Sequence, residues 1–244
     1  MPPVTEHIVK SYEDELNRLV AMITNLGQEV TSQLQKAIQA IIDHDLKTAD
    51  RIIKDDPKID RLEHEIDDFA VRLIALRQPV AADLRHVIVA LKISSSLERI
   101  ADNVGNVAGR FTELKKNSKL EPLKTIPPLM NLIEEMVEGI MTAYITQDDK
   151  AAYELWMQDD EVDHLYNSFM RELLTYMMED PRNISPCIHM LIMGKNIERM
   201  GDHITNIAEN IHYLVHGTLW SKDILADYKK SKGRIKKKAP RKGK

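Results

Sequence analysis

A glutamate and an aspartate stand four apart as Glu98 with Asp102, and the pair returns as Glu198 with Asp202. They lie in LERIADNVGNVAG, residues 97–109, and IERMGDHITNIAE, residues 197–209, where Glu, Arg, Asp, Asn and Ala recur at an offset of one hundred. A second kind of pair, Asp56 with Asp60, returns as Asp159 with Asp163 at an offset of 103. On a helix, residues four apart share a face about 5–6 Å apart, and like charges there cost a few tenths of a kcal/mol. Carboxylates gathered at one level therefore require protons, Arg or Lys, or a hard oxygen-binding metal as counter-charge.

Whether they gather depends on the elements that carry them. Apolar residues recur every three or four positions along most of the chain. The spacing predicts a helix through Ile8, Leu16, Ile23, Val30 and Ile41, and a second over about 46–77 with a kink expected at Asp56-Pro57. A third is expected over about 82–116, then a polar, Pro-containing linker at 115–128. The plan then repeats over about 129–147, 149–178 and 184–217, with the apolar line Ile93, Leu97, Ile100, Val104, Val107 matched by Met193, Ile197, Met200, Ile204, Ile207. The expected fold class is all-α, two tandem three-helix bundles related by an internal repeat. The expected units are 1–114 and 129–220 with the 115–128 linker between them, followed by a basic tail at 229–244.

Folding each hairpin sets the heights. Asp60 and Glu98 are equidistant from Pro79, and so are Asp56 and Asp102. In the second unit both midpoints, of Asp163 with Glu198 and of Asp159 with Asp202, fall between Asp180 and Pro181. Antiparallel helices turning there bring the four carboxylates of each unit level, bordering one open groove and not a buried core. Two readings stay open on this pattern alone. One is a cation held by each set; the other is a solvated acidic face neutralised by Arg99 and Arg199.

Composition narrows the classes. Charged residues make up 30% and apolar ones 43% of the 244, an ordinary globular balance. The single cysteine, Cys187, excludes an internal disulfide or a Cys-based zinc cage, and no signal peptide or membrane span is read, so a cytoplasmic protein is expected. Net charge is −4, yet residues 229–244 hold ten Lys or Arg and no acid, which leaves a body of −14. The tail reads first as a disordered, solubilising end, and otherwise as a segment attracted to an anionic surface.

The motifs are specific enough to resemble one family. LERIAD and IERMGD resemble the paired E(D)xxxD motifs of the PhoU family of phosphate-uptake regulators. LRQPVAADLRHVIVALKISSSLERIAD is similar to its first-unit signature, and LTYMMEDPRNI with IERMGDHITNIAE to its second, over roughly residues 5–220. The resemblance implies a non-enzymatic protein that represses the phosphate-starvation response when phosphate is plentiful. It implies partners too: the ATPase subunit of the phosphate ABC transporter, a sensor histidine kinase, and a second copy in a homodimer. It further implies divalent or iron-type metal ions, or none as isolated, on Asp56, Asp60, Glu98 and Asp102, and on Asp159, Asp163, Glu198 and Asp202.

Rival classes are weaker. A ferritin-like di-iron protein or other metal-storage protein needs Glu-x-x-His strings facing each other. Glu161…His164 and Glu209…His212 both lie in the second unit, and folding sets residue 161 opposite 200, about 13 Å of helix from 209. No phosphate-cradling glycine loop and no nucleic-acid recognition motif occurs.

Overall fold

The computed structural model describes residues 4–114 and 121–221, with side chains from residue 13 onward. The six predicted helices are present: α1 (Val4–Ile42), α2 (Leu46–Arg77), α3 (Ala82–Glu113), α4 (Ile126–Thr146), α5 (Asp149–Glu179) and α6 (Ile184–His216). Among the described residues there is no strand. The tail at 229–244 and residues 115–120 of the expected linker lie outside the described residues; the rest of that linker forms a 3-10 turn, Glu121–Thr125, and the start of α4.

Local chemistry explains where the helices start and stop. Asp45 caps α2, accepting from the Lys47 and Thr48 amides. Asp148, 103 residues on, caps α5 through the Ala151 amide, so the offset of the acidic pairs extends to the caps that set their register. Gln78, Gln147 and Gly217 end α2, α4 and α6 in the left-handed conformation, freeing each amide to bond a carbonyl of the last turn. The expected span of α2 holds, with Pro57 inside the helix and packing of its buried face on either side (Ile52, Ile59, Ile66) offsetting the lost hydrogen bond. One boundary shifts. α4 begins at Ile126, before the expected 129, since Pro in the first turn gives up only an amide that would be unpaired there anyway.

Helices α1–α3 pack mutually, as do α4–α6, and the two bundles join through α3 against α6 and α1 against α4. The inner helices are α3 and α6. Their matched lines, from Ile93 to Phe111 and from Met193 to Ile211, are fully buried. Small residues (Ala90, Ala101, Ala108, Gly194, Gly201, Ala208) are buried along the same two helices, which lets neighbouring backbones approach closely. Each fully buried aliphatic side chain in this line contributes about 1.5–3 kcal/mol. Arg85 near the start of α3 donates to the Tyr213 carbonyl near the end of α6 at 3.4 Å, so α3 and α6 run antiparallel. Helices α2 and α5 lie outside, with one face toward solvent. That exposed flank is where the acidic pairs meet.

Candidate metal centre

The buried residues Ile52 and Ile59 anchor α2 on α3 and fix which side of α2 carries Asp56 and Asp60. Across the hairpin, Leu97, Ile100 and Ala101 are fully buried and set Glu98 and Asp102 on the flank facing α2. The predicted convergence follows. Asp56, Asp60 and Asp102 each bring a carboxylate oxygen to within 4.8 Å of the other two. Glu98, one turn closer to the hairpin turn, faces Asp102, Asp60 and Glu63. None of the four is fully exposed.

Electrostatics records the crowding. Burial, then the Asp102 and Asp60 charges, raise the Asp56 carboxyl above its usual range, with the Gln33 amide opposing. Burial, then Asp102, push Glu98 up to about 7. Arg99 opposes, its guanidinium 3.4 Å from Glu98 and 3.5 Å from Asp102. Its side chain is 58% exposed, so water screens most of that relief. Glu63 is raised as well, by burial and by Asp67. Sequence reading missed Glu63; the available signal was its place one turn beyond Asp60, toward the hairpin turn on the same flank.

The second unit is built differently. Burial, then Asp163, Asp202 and Glu198, push Asp159 up to about 7. A Cβ at Gly201 would collide with Asp159 Oδ1, so only the glycine lets that carboxylate lie against α6; the first unit has Ala101 at the matching place. Lys195 donates to both oxygens of Glu198, at 2.6 and 2.5 Å, and its ammonium lies 5.9 Å from the Tyr166 ring centroid. The first unit has Ser95 and Glu63 where the second has Lys195 and Tyr166. No three of Asp159, Asp163, Glu198 and Asp202 bring ligand atoms within 4.8 Å of one another.

The donor chemistry of the first unit fits a hard cation. All ligating atoms are carboxylate oxygens, and Asp56 Oδ1 is buried without a hydrogen-bond partner. The second unit keeps its four acids, but a lysine already supplies part of the counter-charge. The two sets stand at one level across the bundle interface: His203 on α6 senses Arg99 and Asp102 of α3 besides Arg199, while burial holds its pKa down. The di-iron strings are not gathered. Glu161, His164 and Glu209 are exposed, and His212 is buried against Asp149. Cys187 is buried, which raises its pKa and keeps the thiol unreactive.

The sequence comparison decides the family. The model of the PhoU domain matches residues 23–111 and again 126–211, once per bundle. The chain belongs to the PhoU family. It is 45% identical over 215 residues to the phosphate-specific transport system accessory protein PhoU homolog of Caulobacter vibrioides, covering 88% of this chain and 94% of that one. A relative of the same name from Xylella fastidiosa is also 45% identical, over 86% of this chain and 89% of that protein. The crystal structure of PhoU from Pseudomonas aeruginosa superposes with a TM-score of 0.81 at 35% identity, covering 85% of this chain and all of that one. That of the phosphate transport system regulatory protein PhoU from Streptococcus pneumoniae gives 0.81 at 28%, over 86% and 99%. The PhoU fold is thus two tandem repeats of one three-helix unit, and each repeat contains one acidic set. No helix among the described residues is long and apolar enough to cross a membrane.

Proposed function

We propose that this chain is an accessory protein of phosphate transport that represses the phosphate-starvation response when phosphate is plentiful, by linking the ATPase subunit of the phosphate ABC transporter to a sensor histidine kinase. The observation that carries this reading is the acidic set repeated in each unit of a PhoU fold, in a chain whose relatives are named for phosphate-specific transport. The role is non-enzymatic and cytoplasmic, exercised as a homodimer. The basic segment 229–244 offers charge to an anionic surface.

In this reading Asp56, Asp60, Glu98 and Asp102 hold a cation, and Asp159, Asp163, Glu198 and Asp202 form the second set. A bound cation would supply positive charge to a flank that otherwise repels itself. The chain's residues do the rest: buried Ile59 and Leu97 fix the carboxylates in place, and Arg99 and Lys195 set how much charge remains to be offset. What a partner meets on this face is then governed by whether the cation is present.

Deleting the gene and measuring alkaline phosphatase in phosphate-replete medium tests the proposal. Constitutive activity, returned to the repressed level by the wild-type gene in trans, is expected. Activity that stays repressed in the deletion strain would refute it.

A further inference from the structure

A second group of metal-ligating side chains lies at the other end of the second hairpin. Asp149, the first residue of α5, meets His212 and His216 in the last two turns of α6. His212 donates from Nδ1 to Asp149 Oδ1 at 2.7 Å, and His216 donates from Nε2 to Asp149 Oδ2 at 3.0 Å. One donor atom from each residue lies within 4.8 Å of the other two. The two rings stand four residues apart on one face of α6, with centroids 4.5 Å apart. His212 is 2% and Asp149 9% exposed, while the His216 side chain is 47% exposed and opens the group to water.

Three features set the group apart from ordinary packing. The equivalent places of the first hairpin carry Leu46 and Thr112, so the repeated fold does not require it. His212 Nε2 is buried with no hydrogen-bond partner, so the ring's polar contact is made by the nitrogen that faces Asp149. The group also lies ten residues along α5 from Asp159 and ten along α6 from Asp202, about 15 Å of helix from the carboxylate sets.

We propose that Asp149, His212 and His216 form a separate cation site for a zinc-type divalent ion, clamping the first turn of α5 to the last turns of α6. The assignment is independent of the phosphate reading. Imidazole nitrogen selects zinc, cobalt or nickel over the hard cations that all-oxygen sets prefer. Three protein ligands leave one position for water, on the side where His216 is exposed. Donors around a zinc ion at about 2.0–2.1 Å stand about 3.4 Å apart. The present hydrogen-bond distances of 2.7 and 3.0 Å therefore open by about half an ångström as each ring carries its proton on the other nitrogen (Nε2 of His212, Nδ1 of His216) and turns the freed lone pair to the ion.

The chain's own fluorescence reads the site. Its two tryptophans are Trp156 and Trp220, their rings 5.7 Å apart, with Trp220 5.2 Å from His212. Untagged protein stripped by chelator is titrated with cobalt chloride under excess magnesium chloride, which fills the carboxylate sets. Saturable quenching at one equivalent is expected, together with a rise in melting temperature when zinc chloride replaces cobalt. His216→Ala, at a half-exposed position, and the size-preserving Asp149→Asn weaken binding roughly 100-fold and remove the melting shift. The double variant Asp56→Asn/Asp102→Asn leaves both readouts unchanged. Absence of saturable quenching up to millimolar cobalt overturns the proposal. So does quenching that survives in both His216→Ala and Asp149→Asn, or that disappears in Asp56→Asn/Asp102→Asn.

Discussion

Removing one charge from the first acidic set should stabilise the metal-free protein, and Glu98→Gln is the change that shows it. Burial and Asp102 raise this carboxyl from 4.5 to about 7. A raised carboxyl pKa means the folded state binds the proton more tightly than the unfolded chain. Stability therefore falls as pH rises from the unfolded value toward the folded one, and the penalty is fully present above about 7. At 1.36 kcal/mol per unit the unscreened penalty would be about 3 kcal/mol. The groove is open to water and salt, so about 1 kcal/mol is the realistic figure. In a chain of this size that is about 2–4 °C in melting temperature. Thermal melts in chelator at pH 8 should thus place Glu98→Gln above the wild type by that amount, and at pH 4.5 the two should nearly coincide. With saturating manganese at pH 8 the order should reverse, because the variant has lost a ligand to the cation. A Glu98→Gln protein that melts at or below the wild type in chelator at pH 8 would refute the charge-crowding argument.

Lys195→Met should raise the cation affinity of the second unit, because the ammonium that now holds Glu198 is removed; manganese titration watched by electron paramagnetic resonance would count the added site. Gly201→Ala should displace Asp159, whose oxygen occupies the space a Cβ would need, and bring its pKa down from about 7 toward the ordinary carboxylate range, as carboxyl carbon NMR would show. Its melting temperature should change little, since about 1 kcal/mol of helix propensity is gained against that displacement. Leu97→Ala, in the fully buried line of α3, should cost about 2–5 kcal/mol in chemical denaturation.

Much of the fold could be read from period and offset. Heptad-like spacing finds helices because burying one stripe is what stabilises them, and matching Ile93–Val107 to Met193–Ile207 exposes the repeat. The level of the carboxylates was legible because a hairpin's turn fixes height, and Asp56, Asp60 and Asp102 do converge. Side-chain neutralisation was not legible. Glu198 looks like Glu98 in sequence, yet Lys195 three residues away binds it while the first unit offers Ser95. That inequality depends on rotamers across one turn, which the motif does not encode. The span of α2 across Pro57 was legible, since its apolar line continues on both sides of the proline. Asp149 and His212 share the hairpin midpoint of the acidic set, so their meeting was readable in principle. No counterpart in the first unit marks it, since Leu46 and Thr112 stand at the matching places.

The central claim is that the acidic set of the first unit is part of the regulatory surface and not merely a solvated face. The direct measurement is alkaline phosphatase activity in phosphate-replete cells of a deletion strain complemented with Asp56→Asn/Asp60→Asn/Asp102→Asn, with folding and abundance checked by circular dichroism and immunoblot. The account predicts a folded, normally abundant protein that fails to restore repression, while the wild-type gene restores it. Full repression by the triple variant would contradict it.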